Sequence, residues 1–382
     1  MKSEETEPEK QHQQDEVLKT EQNSQEQIVE DGQSNTSSDS SQLSVHIDYE
    51  EILRQQQLVP IRPLGHGAFG IVYLVYDRKY GIVANKIILK KKYDKKEWEA
   101  AVNIHEKIQQ CPFIMNHIHQ QDADMCSILV TEYSNMKTLE IIAKQPPISL
   151  PSCILRTLMN QILEGMRVFH EAGFVHRDIK CDNILLHCPP GSQIIHAKIS
   201  DFGFAKQEDL IHEQTYFAGT LPYMGPELFR LPLFVTQKVD IYALGITFYK
   251  LITHKYPVNE GNIKEQQKKM AQMKCIDRPS EIQDYILWDL LSKMLEFDPI
   301  KRITAAQALQ HQYFTSSEAE NDISKEQQQL ADQEQDSEDS NYSIYQRTLK
   351  YDSIPSFIFP ESEIQKFIPK NISNKLDIRI SL

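Results

Sequence analysis

The chain lacks the features that announce several classes of protein. Its six cysteines, Cys111, Cys126, Cys153, Cys181, Cys188 and Cys275, form no C-x-x-C pair. Neither a zinc cluster nor a disulfide framework is expected, and reduced thiols in the cytoplasm, or in the nucleus, follow. No run of about 18 apolar residues occurs, so no membrane span is expected. The opening MKSEETEPEK has none of the apolar character of a secretory leader. No repeat of roughly 20–50 residues recurs. Basic residues form no stripe, and a net charge of −13 argues against a nucleic-acid partner.

That negative charge is concentrated near the ends. Residues 1–45 hold eleven acids and three bases, and residues 316–340 hold nine acids and one base. Each segment carries −8, so subtracting both from −13 leaves +3 for everything else. Segments this polar bury too little apolar surface to offset the entropy of ordering. Residues 1–45, rich in acid and Gln, are expected to be disordered, and so is a C-terminal tail over 316–382. Within 341–382 the apolar piece IPSFIFP either docks on the core or stays loose.

Between the tails the pattern is α+β. LVPIRPLGHGAFGIVYLVYD, from Leu58, reads as two short strands joined by a turn holding Gly65, Gly67 and Gly70. GIVANKIILK and CSILVTEYS read as further strands. KKEWEAAVNIHEKIQQ has a helical mix, stopped by Pro112. CILRTLMNQILEGMRVFH then spaces apolar residues by three and four, and DIYALGITFYKLIT, YILWDLLSKML and TAAQALQHQYF continue as helices. A strand-rich part followed by a helical part predicts two lobes.

Five stretches in this frame carry chemistry. GHGAFGIV places three glycines between strands, where backbone N–H groups can close over phosphate oxygens with no Cβ in the way. In VANK, Lys86 lies sixteen residues after Gly70 inside an apolar strand. FVHRDIKCDN packs His176, Arg177, Asp178, Lys180 and Asn183 into one loop. ISDFG follows a hairpin turning at PPGS and sets Asp201 eighteen residues beyond Asn183. GTLPYMGPE spans residues 219–227. Singly, each has a bland explanation: a glycine turn, a lysine snorkelling to water, a helix cap. Those explanations do not predict all five in this order.

Together the stretches resemble the eukaryotic protein kinase family, serine/threonine type, over roughly residues 58–315. The resemblance implies a two-lobed fold, a small β-rich lobe and a larger helical one, that uses ATP and Mg2+. It implies that Leu64, Gly65, His66, Gly67, Ala68, Phe69, Gly70, Val72 and Ala84 enclose the nucleotide. Lys86 would hold its α/β-phosphates. Thr131 would lie at the back of the adenine pocket, with Glu132 and Ser134 offering backbone groups. Asp178 would accept the proton of the attacking hydroxyl, Lys180 would stabilise the moving phosphoryl group, and Asn183 and Asp201 would hold the metal. Asp240 would anchor the catalytic loop, and Arg302 would pair with Glu227. Lys180, two places after Asp178, and Thr220 point to Ser/Thr hydroxyls of proteins as substrates. Of the acceptors in the activation segment, Thr215 and Tyr216, Thr215 is expected to be phosphorylated by an upstream kinase and to pair with Arg177.

The family's usual helix glutamate opposite Lys86 is displaced: its position holds Val102, with Glu99 and Glu106 about one turn to either side. Gly225 stands where the family has Ala. The alternative reading is a pseudokinase scaffold, against which the joint presence of Lys86, Asp178, Asn183 and Asp201 argues. A small-molecule kinase of related fold would lack GTLPYMGPE.

Overall fold

The computed structural model describes residues 47–67, 70–91, 93, 95–107, 111–146, 148–208, 219–230, 235–336 and 350–367. Helix α1 (Tyr49–Gln55) begins where the Asp48 side chain accepts the Glu51 N–H at 3.0 Å, satisfying one of the donors a helix start leaves open. Strands β1 (Val59–Gly67), β2 (Gly70–Asp77) and β3 (Gly81–Leu89) follow, then helix α2 (Lys96–Lys107), β4 (His117–Asp122) and β5 (Cys126–Glu132). They form one antiparallel sheet of order β1-β2-β3-β5-β4.

Alternation assigns its two faces. Ile71, Tyr73, Val75, Val83, Ile87, Ile128 and Val130 cluster on one side with Leu53 of α1 and Leu58. The other side carries Val72, Ala84 and Lys86. Val72 stands opposite Lys86, and Ala84 opposite Thr131.

The second lobe is built round α4 (Ser152–Glu171), which follows the short α3 (Glu140–Ala143). Its residues Ile154, Leu158, Ile162, Met166 and Phe169 have essentially no exposed surface and belong to the largest core cluster. After β6 (Phe174–Val175), strands β7 (Ile184–His187) and β8 (His196–Ile199) pair as the expected hairpin. Its turn closes with Ser192 N donating to Pro189 O at 3.0 Å. Strand β9 (Lys206–Gln207) pairs with β6. Helices α5 (Lys238–Thr253), α6 (Ile263–Gln272) and α7 (Tyr285–Met294) complete the main body.

Two expectations need correction. TAAQALQHQYF is not one helix but two, α8 (Ala305–Leu309) and α9 (Gln312–Thr315), because the His311 side chain accepts the Tyr313 N–H at 3.2 Å and starts a new helix. The disordered tail expected over 316–382 is ordered at 316–336 and 350–367. There the chain forms α10 (Ser317–Asn321), α11 (Lys325–Asp336) and α12 (Glu361–Ile364). A narrow apolar stripe suffices: Leu330 and Ala331 pack with Ile194 and Ile358, while Asp322 pairs with Arg156. The tail expected over 1–45 lies outside the described residues.

Candidate active site

The loop between β6 and β7 is held from below by one carboxylate. Asp240, in the first turn of α5 and wholly buried, accepts the backbone N–H groups of His176 and Arg177 at 2.8 Å each. His170 Nε2 adds a third contact at 2.9 Å. Charge-assisted bonds of this kind are strong, and they hold Arg177 at φ 68°, a conformation that side-chain-bearing residues rarely adopt. His176 Nε2 lies 3.0 Å from Ser200 O, which ties the loop to the strand leading into Asp201.

On this support the structure brings together four residues singled out in the sequence. Asp178, only 5% exposed, accepts the Thr220 hydroxyl at Oδ1 at 2.8 Å. Its Oδ2 accepts Lys180 Nζ at 2.8 Å and Asn183 Nδ2 at 2.9 Å. Lys180 Nζ also donates to Thr220 Oγ1 at 2.9 Å. Lys86 reaches from β3 to Asp201, with Nζ 3.0 Å from Oδ1. Burial pushes the Asp201 carboxyl up, but the Lys86 charge and its hydrogen bond, aided by His176 and Lys180, outweigh it. The net result lies below the ordinary carboxylate range.

Oxygen donors suit a hard cation such as Mg2+. Asn183 donates through its amide nitrogen to Asp178 O and Oδ2, which leaves its carbonyl oxygen as the acceptor. Asp201 keeps a second carboxylate oxygen beyond the Lys86 contact. This donor set fits Mg2+ held jointly with phosphate oxygens. Among the described residues no group of three or more His, Cys, Asp or Glu is placed to hold a metal alone.

The residues expected to enclose a nucleotide are distributed along the sheet as the strands require. Leu64, Gly65 and His66 are exposed on β1, and Gly67 pairs with Gly70 at the turn; Ala68 and Phe69 lie outside the described residues. Thr131 Oγ1 donates to Ala84 O at 3.5 Å. Ser134 Oγ is buried without a partner among the described residues. The Glu132 side chain accepts the Asn116 N–H at 2.7 Å and Lys198 Nζ at 3.1 Å. Burial raises its carboxyl, yet the Lys198 charge and the Asn116 N–H bring it below the usual range. Glu99 and Glu106 are both exposed on α2, and among the described residues neither forms an ion pair.

Two features escaped the sequence reading. His117 packs tilted against Phe202, with ring centres 4.9 Å apart and planes at 34°, and Phe202 in turn meets His176 and Phe169 at 5.9 and 5.5 Å. The second lies under GTLPYMGPE. Lys250 Nζ donates to both Glu140 oxygens at 2.8 and 2.7 Å and to Tyr256 OH at 2.8 Å. Tyr256 OH is 3.2 Å from Tyr223 OH. The signal for it was a lysine inside the apolar helix DIYALGITFYKLIT.

A β-rich lobe facing a helical lobe, with a lysine–aspartate pair opposite a carboxylate-centred loop, is the two-lobed kinase architecture. A family model described as a protein kinase domain matches residues 58–314, and the chain belongs to that family. It is 30% identical over 284 residues to serine/threonine-protein kinase cds1 of Schizosaccharomyces pombe, covering 66% of this chain and 57% of that protein. With Aurora kinase C of Mus musculus it shares 28% over 261 residues, 65% of this chain and 88% of the relative. With serine/threonine-protein kinase dkf-1 of Caenorhabditis elegans it shares 28% over 280 residues, 72% and 38%. The chain thus spans little more than half of cds1 and well under half of dkf-1. Among the described residues no helix is long and apolar enough to cross a membrane.

Proposed function

We propose that the chain is a serine/threonine protein kinase that transfers the γ-phosphoryl group of ATP, with Mg2+, to protein hydroxyls. The observation that carries this reading is the Asp178 carboxylate, held by Lys180, Thr220 and Asn183 within 2.9 Å. In that role Asp178 accepts the proton of the incoming hydroxyl. Lys180, 2.8 Å away, supplies a fixed cation where charge develops on the moving group. Lys86 holds the α/β-phosphates, and Asn183 and Asp201 hold Mg2+. Bound magnesium offsets the charge of the phosphate oxygens. The β1–β2 turn covers the phosphates, Val72 and Ala84 bound the adenine, Thr131 closes its rear, and the backbone of Glu132 and Ser134 meets its edge.

Preference for Ser/Thr is supported by the Lys180–Thr220 contact. Thr215 and Tyr216 lie outside the described residues. Arg177 Nη1 is buried without a hydrogen-bond partner among the described residues, which suits a phosphate on Thr215 added by an upstream kinase. A cytoplasmic or nuclear setting agrees with six free cysteines.

The test is incorporation of label from radiolabelled ATP into a general protein substrate, comparing the natural chain with Asp178→Ala. Label only with the natural chain supports the kinase. Equal label from both removes Asp178 from the chemistry, and none from either leaves the nucleotide-binding scaffold.

A further inference from the structure

Past residue 314, where the family match ends, the chain returns along the rear of β8, the strand that delivers Asp201. We propose that residues 350–367 are a strap that positions Asp201 by gripping β8, and that binding of Mg2+ with nucleotide depends on the strap being docked. This rests on the reading of Asp201 as a magnesium ligand.

The grip is direct and built. Ile195 N donates to Phe359 O at 2.8 Å, Glu361 N donates to Gln193 O at 2.8 Å, and Ile194 bridges to Pro360. His196, the first residue of β8, sets Nε2 2.9 Å from Asp352 Oδ1. Gln161 of α4, with no exposed surface, accepts the Ala197 N–H at 2.8 Å and donates to Ile195 O at 2.9 Å and Phe357 O at 2.7 Å. One amide thus joins strand and strap. Gln327 of α11, equally buried, donates to Thr157 Oγ1 at 2.8 Å and Ile358 O at 2.9 Å. Lifting the strap takes one carbonyl acceptor from each amide, Phe357 O from Gln161 and Ile358 O from Gln327, and admits water to a buried network, which favours the docked state.

A second route reaches the far end of β8. Phe357 stacks on Phe113 with ring centres 5.7 Å apart and planes 14° from parallel. Phe113 O accepts the Ile199 N–H at 2.9 Å, and Ile199 O accepts the Met115 N–H at 2.8 Å. Ile199 stands two residues before Asp201. The strap therefore bears on both ends of the strand, and Tyr351 secures it by donating its hydroxyl to Glu164 at 2.5 Å.

The experiment uses the full chain carrying Asp352→Ala or Phe357→Ala, with exposed Gln365→Ala as control. Hydrogen exchange is followed at Ile195, Ala197 and Ile199. The magnesium concentration for half-maximal binding of a fluorescent ATP analogue is measured without turnover. Both strap variants are expected to speed exchange in β8 and to raise that magnesium concentration about fivefold or more, while the control changes neither. Should Phe357→Ala fail to fold, Phe357→Leu takes its place. Faster exchange with an unchanged magnesium requirement makes the strap a mere cover, and unchanged exchange means that it does not grip β8; either result overturns the proposal. If the natural chain transfers no phosphoryl group yet the strap variants shift the magnesium requirement, the kinase reading fails and this one stands.

Discussion

Glu227 and Arg302 meet through two hydrogen bonds, Nη1 to Oε1 at 2.5 Å and Nη2 to Oε2 at 2.9 Å, where the arginine side chain has no exposed surface. Arg302 also donates to Glu296 O at 2.8 Å and Lys238 O at 2.6 Å. A single planar fork thus fastens GTLPYMGPE to the start of α5 and to the segment before α8. Such a pair owes its worth to completeness, because desolvating either charge alone is costly.

Removing one partner is therefore expected to be severe. Arg302→Ala should cost about 3–5 kcal/mol by stranding the Glu227 carboxylate. The double variant Arg302→Met, Glu227→Leu should cost clearly less. Urea unfolding of the three proteins decides the matter; a double variant as unstable as the single one would contradict it.

The Thr220 hydroxyl touches both Asp178 and Lys180. Thr220→Ala is expected to lower kcat roughly tenfold to a hundredfold through misplacement of those groups, with little change in melting temperature. Thr220→Ser should retain most of the rate. Steady-state kinetics check this, and a serine variant as slow as the alanine one would shift the role from hydroxyl to methyl.

Two glycines of one motif should fail differently. A Cβ on Gly70 would lie 2.0 Å from Ile87 O, whereas a Cβ on Gly65 meets nothing within 4 Å. Gly70→Ala is expected to destabilise the sheet by about 3 kcal/mol, as overpacking does. Gly65→Ala should fold normally and lose nucleotide affinity alone. Urea melts alongside ATP titrations separate the two; equal instability in both would refute the distinction.

Acid should weaken the fold through His117. Burial, and then the Lys86 charge, lower its pKa from 6.5 to about 4. Between those values the unfolded chain binds a proton that the folded chain refuses, so stability falls as pH drops from 6.5 toward 4 and is whole above that window. The slope is at most about 1.4 kcal/mol per pH unit for this one group. His117→Leu should flatten the stability–pH curve by up to that amount, as measured by denaturation at pH 5 and pH 7. An unaltered slope would rule the imidazole out.

Much of the candidate site's layout was legible because the chemistry expected of it constrains the order of particular side chains. Lys86, Asp178, Lys180, Asn183, Asp201 and Thr220 come from four separate stretches, yet the structure places them in the two contacting groups described. The lobes followed from the switch between apolar period two and period three to four. What was missed had no such signature. Strand β4 reads HIHQQD, polar at almost every position, and is a strand because β5 offers it a ladder. Between 350 and 367 the decisive acceptors are backbone carbonyls of Phe357, Ile358 and Phe359, which no composition records. Gln327, which meets one of them, had counted toward disorder.

That ordered return has a practical consequence for anyone who trims the gene. A clone ended at residue 314, as the family match suggests, would hand to water the rings and amides around Phe113, Gln161 and Ile195. Poor yield or sluggishness from such a fragment would report on the cut, and would say nothing about the catalyst it was meant to isolate.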